Sequence, residues 1–117
     1  MGAPVVHFEI GCKDSEKTGA FYREMFGWDT HQHGPATMIN TGAGRGIQGH
    51  ITSLGHDPHH YVTVYVEVPD LTVALAKAES LGGKTVVPPV DVPGQGAFAW
   101  FTDLDGNVVG LWKAAVK

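Results

Sequence analysis

The sequence predicts an α+β fold: two βαβββ modules whose joined sheets form a curved, mixed surface, with the helices on the outer face and a cleft inside. Three observations carry this. Apolar residues alternate along Val5-Val6-His7-Phe8-Glu9-Ile10 and again along Tyr61-Val62-Thr63-Val64-Tyr65-Val66-Glu67-Val68, the period-2 mark of a half-buried strand. Each run leads into a helix-period stretch, opened by Asp14 or Asp70 and closed by Gly27 or Gly83, and both pairs stand 56 residues apart. Each helix is followed by three further strand-like runs. An internal repeat of this kind dictates the architecture before any single residue does.

The first repeat, residues 4–53, opens with the strand 5–10. Asp14-Ser15 supplies a helix N-cap, because a short polar side chain there accepts from the first unpaired backbone N–H groups. Phe21, Tyr22, Met25 and Phe26 recur at helical spacing, and Gly27 stops the helix as a residue tolerant of the left-handed cap conformation. Strands are expected over 28–33, 36–40 and 47–52, separated by Gly34-Pro35 and by the glycine-rich turn from Thr41 to Gly46. Leu54-Gly55-His56-Asp57-Pro58 is the linker, with turn chemistry from Gly and Asp-Pro.

The second repeat, residues 60–114, has a strand over 60–68 and a helix over 70–82 with Leu71, Ala74, Leu75, Ala78 and Leu81 on one face. Strands follow at 84–88, 96–102 and 107–113. Pro88-Pro89 and Pro93-Gly94-Gln95-Gly96 bound a loop, and Asp105-Gly106 marks a tight hairpin connection. The 117 residues make one domain with a core, not two independent ones. The alternation assigns faces: Val6, Phe8, Ile10, Val62, Val64, Val66, Val109 and Leu111 toward the helices. His7, Glu9, Thr63, Tyr65, Glu67, Val108, Gly110 and Trp112 are assigned to the cleft.

Composition excludes several classes. Hydrophobic content of 43% and charged content of 17% are globular values. A net charge of −4 with no visible basic patch argues against a nucleic-acid partner. No apolar run approaches the roughly 20 residues that span a bilayer, so no membrane partner is expected. The N-terminus lacks a basic segment followed by an apolar stretch, so no signal peptide is expected either. Cys12 is the single cysteine; it has no internal disulfide partner, reads as a small buried filler, and makes the cytoplasm the expected compartment.

Among residues that carry chemistry, His7 is the leading candidate as base or ligand, with Glu9 one strand step away on the same face as a candidate general base. His56, His59 and His60, with His50 nearby, resemble a metal cluster in sequence, but they sit in a Pro-containing linker and read as a solvated loop. Gly42, Gly44 and Gly46 are followed by no Lys-Ser/Thr pair and no helix, so they do not form a phosphate loop. Tyr65, Phe98, Trp100 and Trp112 lie near Gly110, a combination that suits a flat apolar ligand approaching the backbone.

At this point the chain resembles the vicinal oxygen chelate superfamily of glyoxalases, bleomycin-resistance proteins and extradiol dioxygenases. The matching stretches are Val5 to Ile10, Phe21-Tyr22-Arg23-Glu24-Met25-Phe26-Gly27-Trp28, Ala76 to Gly83, and Phe101 to Trp112 with its Asp105-Gly106-Asn107 turn. They occur in the right order and cover nearly the whole chain. The resemblance implies a divalent metal held by residues from the first and last strands of each module, which here are His7, Gln48, Thr63 and Gly110. Thr63 is a poor ligand and Gly110 offers none where such enzymes commonly have Glu, whereas a catalytic site typically keeps three protein ligands.

The reading is therefore a small-molecule-binding protein with a degenerate metal site and no cofactor. It takes an apolar or aromatic ligand among Tyr65, Phe98, Trp100, Trp112, Thr63 and Gly110, and assembles as a homodimer. The alternative is a metal-dependent glyoxalase-like lyase, isomerase or dioxygenase with one Zn, Ni, Mn or Fe ion on His7 and Gln48.

Overall fold

A computed structural model describes residues 2–55 and 58–115; His56 and Asp57 of the expected linker lie outside the described residues. The element order is β1 (Val5–Gly11), α1 (Ser15–Phe26), β2 (Asp29–His33), β3 (Ala36–Asn40), β4 (Gln48–Thr52), β5 (Tyr61–Glu67), α2 (Leu71–Ser80), β6 (Lys84–Val92), β7 (Gly96–Thr102) and β8 (Val108–Ala114). This is the twice-repeated βαβββ order that the sequence predicts. The chain forms two compact units, His7–Thr63 and Met1–Val6 with Val64–Lys117.

In the first unit β1 pairs in parallel with β4, and β3 joins β4 and β2 by antiparallel ladders. Asp14 caps α1 by accepting from the backbone N–H groups of Glu16 and Lys17, and Gly27 ends it at φ 69°. The core under the helix is Ile10, Cys12, Ile39 and Ile51, joined by Phe8, Tyr22 and Trp28. Phe8 and Ile10 thus lie on the helix side of β1, as the alternation requires.

In the second unit β5 pairs in parallel with β8, which continues through antiparallel ladders to β7 and β6. Asp70 caps α2 by accepting from Val73 N–H. Leu71, Leu75, Ala99 and Leu111 form the core, with Val66 and Phe101 packed against it.

Three details differ from the expectation. The left-handed residue after α2 is Gly82, at φ 103°, not Gly83. Gly83 is needed for another reason: a Cβ there would run into the carbonyl oxygen of Thr102. Second, β6 runs through Pro88-Pro89 to Val92 instead of stopping at residue 88, with register shifts between Thr85 and Val90. Among the described residues it pairs only with β7, and an outer strand tolerates prolines on its unpaired side. Third, Val62 and Val64 are exposed. Of the three valines assigned to the helix side of β5, only Val66 is covered by the core.

Candidate functional site

The first unit gathers four polar side chains on the side of β1 opposite Phe8 and Ile10. In the parallel β1–β4 ladder His7 stands opposite Gln48 and Glu9 opposite His50. Residues so paired share a face, so His7, Glu9, Gln48 and His50 project together. His7 Nε2 lies 2.6 Å from His50 Nδ1, and the other ring nitrogen of His50, Nε2, lies 3.3 Å from Glu9 Oε1. Glu9 Oε2 accepts the Tyr61 hydroxyl. The result is a continuous chain His7–His50–Glu9–Tyr61, ending on a carboxylate that is only 2% exposed.

Local sequence makes room for this chain. Gly11 and Gly55 flank the Tyr61 ring, and a Cβ at either would run into it. Burial, the proximity of His50, and a weaker opposing effect of Glu9 bring the His7 pKa down to about 4. His7 is therefore neutral near pH 7. Burial, followed by the Glu9 hydrogen bond, pushes the Tyr61 phenol well above its usual range, which keeps its proton in place to donate.

Gln48 does not join this chain. Its Oε1 accepts from Thr41 N–H at 2.6 Å and its Nε2 donates to Thr41 Oγ1 at 3.4 Å. Thr63 is buried. The sequence reading missed His50 and Tyr61. The available signal was the spacing of His50 two residues beyond Gln48, which places both on one strand face.

The second unit builds an aromatic layer. Phe98, Trp100, Gly110 and Trp112 share a face through the β7–β8 register, Phe98 opposite Trp112 and Trp100 opposite Gly110. Tyr65 stands opposite Gly110 in the β5–β8 ladder. Trp100 Nε1 donates to the Tyr65 hydroxyl at 2.8 Å. The Tyr65 ring meets Phe98 edge-on at 6.4 Å, and Phe98 lies 6.4 Å from Trp100 at a tilt of 50°. Tyr65 and Trp100 are buried, while Phe98 and Trp112 are half-buried and form the reachable part of the layer. A Cβ at Gly110 would run into the Tyr65 ring, so that ring fills the space a side chain at 110 would need.

The donor set does not fit a divalent metal at the positions the resemblance implies. His7 commits Nε2 to His50, Gln48 is tied to Thr41, Thr63 brings only a hydroxyl, and Gly110 is closed by Tyr65. Among the described residues no group of three or more His, Cys, Asp or Glu is arranged to hold a metal ion. Cys12 is buried, its Sγ 3.4 Å from the Thr52 carbonyl oxygen, and burial pushes its thiol up, away from reactivity. No described helix is long and apolar enough to cross a membrane.

Residues 5–111 match the profile of the Glyoxalase/Bleomycin resistance protein/Dioxygenase superfamily, and the chain belongs to that family. The anthracycline biosynthesis protein DnrV of Streptomyces peucetius is 28% identical over 98% of this chain and 48% of its own length. The chain thus spans about half the length of this curated relative. Among solved structures, a superfamily member from Vibrio splendidus 12B01 aligns with a TM-score of 0.66 and 13% identity, covering 97% of this chain and 100% of that one. Methylmalonyl-CoA epimerase from Mycobacterium tuberculosis aligns with a TM-score of 0.68 and 14% identity, covering 96% and 88%. At such identities the likeness is one of fold: an α+β arrangement that, among the described residues, repeats the βαβββ order in two units.

Proposed function

We propose that this chain is a small-molecule-binding domain of its family that works without a metal, its ligand lying on the aromatic layer of β7 and β8. The observation that carries the reading is the Tyr65 ring seated over Gly110 and held by Trp100. It supports the reading twice. It occupies the place of a metal-binding side chain at 110, and it backs the half-buried Phe98 and Trp112 with a fixed apolar layer. Aromatic faces of this kind favour flat ligands, through stacked or edge-on contact. DnrV carries the name of an anthracycline biosynthesis protein, and a fused polycyclic quinone is the type of ligand such a layer would take. The single buried thiol fits a reducing cytoplasm.

The test has two arms. Tag-free protein, dialysed against metal-free buffer, is expected to carry no stoichiometric zinc, nickel, manganese or iron. Titration with an anthraquinone is expected to quench tryptophan fluorescence saturably. Phe98→Ala should weaken binding about tenfold or more, the loss of one aromatic contact being worth about 1 kcal/mol beyond its area. One bound metal per chain, or no saturable quenching, overturns the reading.

A second reading, an enzyme using His7 and Glu9 for proton transfer, is favoured by one observation, the hydrogen-bonded chain from His7 to Tyr61. Turnover by metal-free protein, abolished in His7→Gln, would establish it.

A further inference from the structure

With Glu9 taken as ionised and His50 as neutral, elementary donor and acceptor chemistry gives the direction of the hydrogen bonds in the first unit. An ionised carboxylate only accepts. Glu9 takes the Tyr61 hydroxyl on one oxygen and faces His50 Nε2 with the other, at 3.3 Å. The His50 nitrogen facing it therefore carries a hydrogen. A neutral imidazole has one N–H and one lone pair, so His50 Nδ1 is the acceptor. Its partner, His7 Nε2 at 2.6 Å, is then the donor.

We infer that His50, Glu9 and Tyr61 are positioning residues that lock His7 in its Nε2–H tautomer, leaving Nδ1 as its one basic nitrogen. The array fixes the ring of a first-strand histidine by hydrogen bonds, a task that a metal ion and its supporting carboxylates perform elsewhere. It also decides which nitrogen of His7 donates and which accepts. A nitrogen that donates a hydrogen bond has no lone pair for a cation, so Nε2 is closed to metals. Nδ1 accepts from a hydroxyl or an N–H. The inference goes beyond the ligand reading but rests on its clause that no metal sits at this position.

The geometry around the chain supports a built array. Glu9 is almost fully buried, so its lone pairs must be satisfied by protein groups. Two of its partners come from outside its own strand, His50 from β4 and Tyr61 from the start of β5. Gly11 and Gly55 leave the space for the Tyr61 ring.

Long-range ¹⁵N–¹H correlation spectra of tag-free, chelator-treated protein at neutral pH test the assignment. The expected result is a pyrrole-type Nε2 and a pyridine-type Nδ1 for both His7 and His50. A pyridine-type Nε2 on His7, which would mean that Glu9 is protonated and the chain runs the other way, overturns it. His50→Ala should convert His7 to a mixture of tautomers, with its two ¹⁵N resonances moving toward each other, and Tyr61→Phe should do so in part. An unchanged His7 tautomer in folded His50→Ala overturns the positioning role; should that variant not fold, the wild-type spectrum and Tyr61→Phe decide. Equimolar zinc should leave the Nε2 hydrogen of wild-type His7 in place. Zinc displacing the Nε2 hydrogen would overturn the inference and the metal-free clause together. Absence of quinone binding, with the tautomer as expected, would overturn the ligand reading alone.

Discussion

At the scale of single residues, His7 and Gly110 are read differently once their neighbours are known. The period-2 alternation of β1 was enough to put His7 and Glu9 on one face. It was not enough to find His50, because which β4 residue meets Glu9 depends on the β1–β4 register, a long-range property. Tyr61 opens the second alternating strand, and nothing in that alternation says that its hydroxyl reaches Glu9 on β1. The neutral state of His7 has a consequence for stability. Its pKa in the folded chain, about 4, lies below the ordinary value of about 6.5. Between those values the unfolded chain binds a proton that the folded chain refuses, so stability falls as the pH drops. The contribution is intact above pH 6.5 and is lost progressively toward pH 4. His50 touches this ring and Glu9 acts on it through its charge, and partial exposure weakens the effect, so a loss of about 1 kcal/mol between pH 7 and pH 5 is expected. Urea unfolding at the two pH values measures it, and His7→Gln should flatten the slope; an identical slope in that variant would assign it to another group.

At the scale of elements, the helices were legible and one strand was not. Asp14 and Asp70 cap as their chemistry demands, each accepting backbone N–H groups of the first turn. Pro88-Pro89 misled because prolines argue against a central strand, whereas β6 pairs on one side only. The face assignment of β1 can be tested by two neighbouring substitutions. Phe8 packs against the cluster of Ile10, Cys12, Ile39 and Ile51 and against the Trp28 ring, and its own ring lies so close over Gly49 that a Cβ there would come within 2.6 Å of it. Phe8→Ala should therefore cost about 3 kcal/mol through the cavity it leaves. His7→Ala removes one side of a hydrogen bond and no apolar core, and should cost about 1 kcal/mol. Equal losses in thermal or denaturant unfolding would mean that His7 is itself a core residue.

At the scale of the whole molecule, the repeat was legible because both copies keep the same order of elements and the same caps. The degree of cover over each helix was not, because exposure depends on what else packs there. α1 turns Tyr22 inward, stacked on Trp28 at 5.6 Å, and leaves Phe21, Met25 and Phe26 61%, 62% and 54% exposed. Phe21 and Met25 are four residues apart and so neighbours on one helix face. We propose that a second copy of this chain covers that face in a two-fold homodimer, the commonest closed assembly. Self-association is favoured over a basic or acidic partner because the patch is apolar and α1 carries both signs of charge, Glu16 and Glu24 with Lys17 and Arg23. Light scattering at micromolar concentration should give about twice the 12.5 kDa of one chain. Met25→Asp, on an exposed helical position, should leave the fold intact and shift the mass to that of a monomer, since an unpaired charge buried in an apolar contact is strongly unfavourable. A wild-type mass of one chain would remove the dimer, and a dimer untouched by Met25→Asp would move the interface to another face.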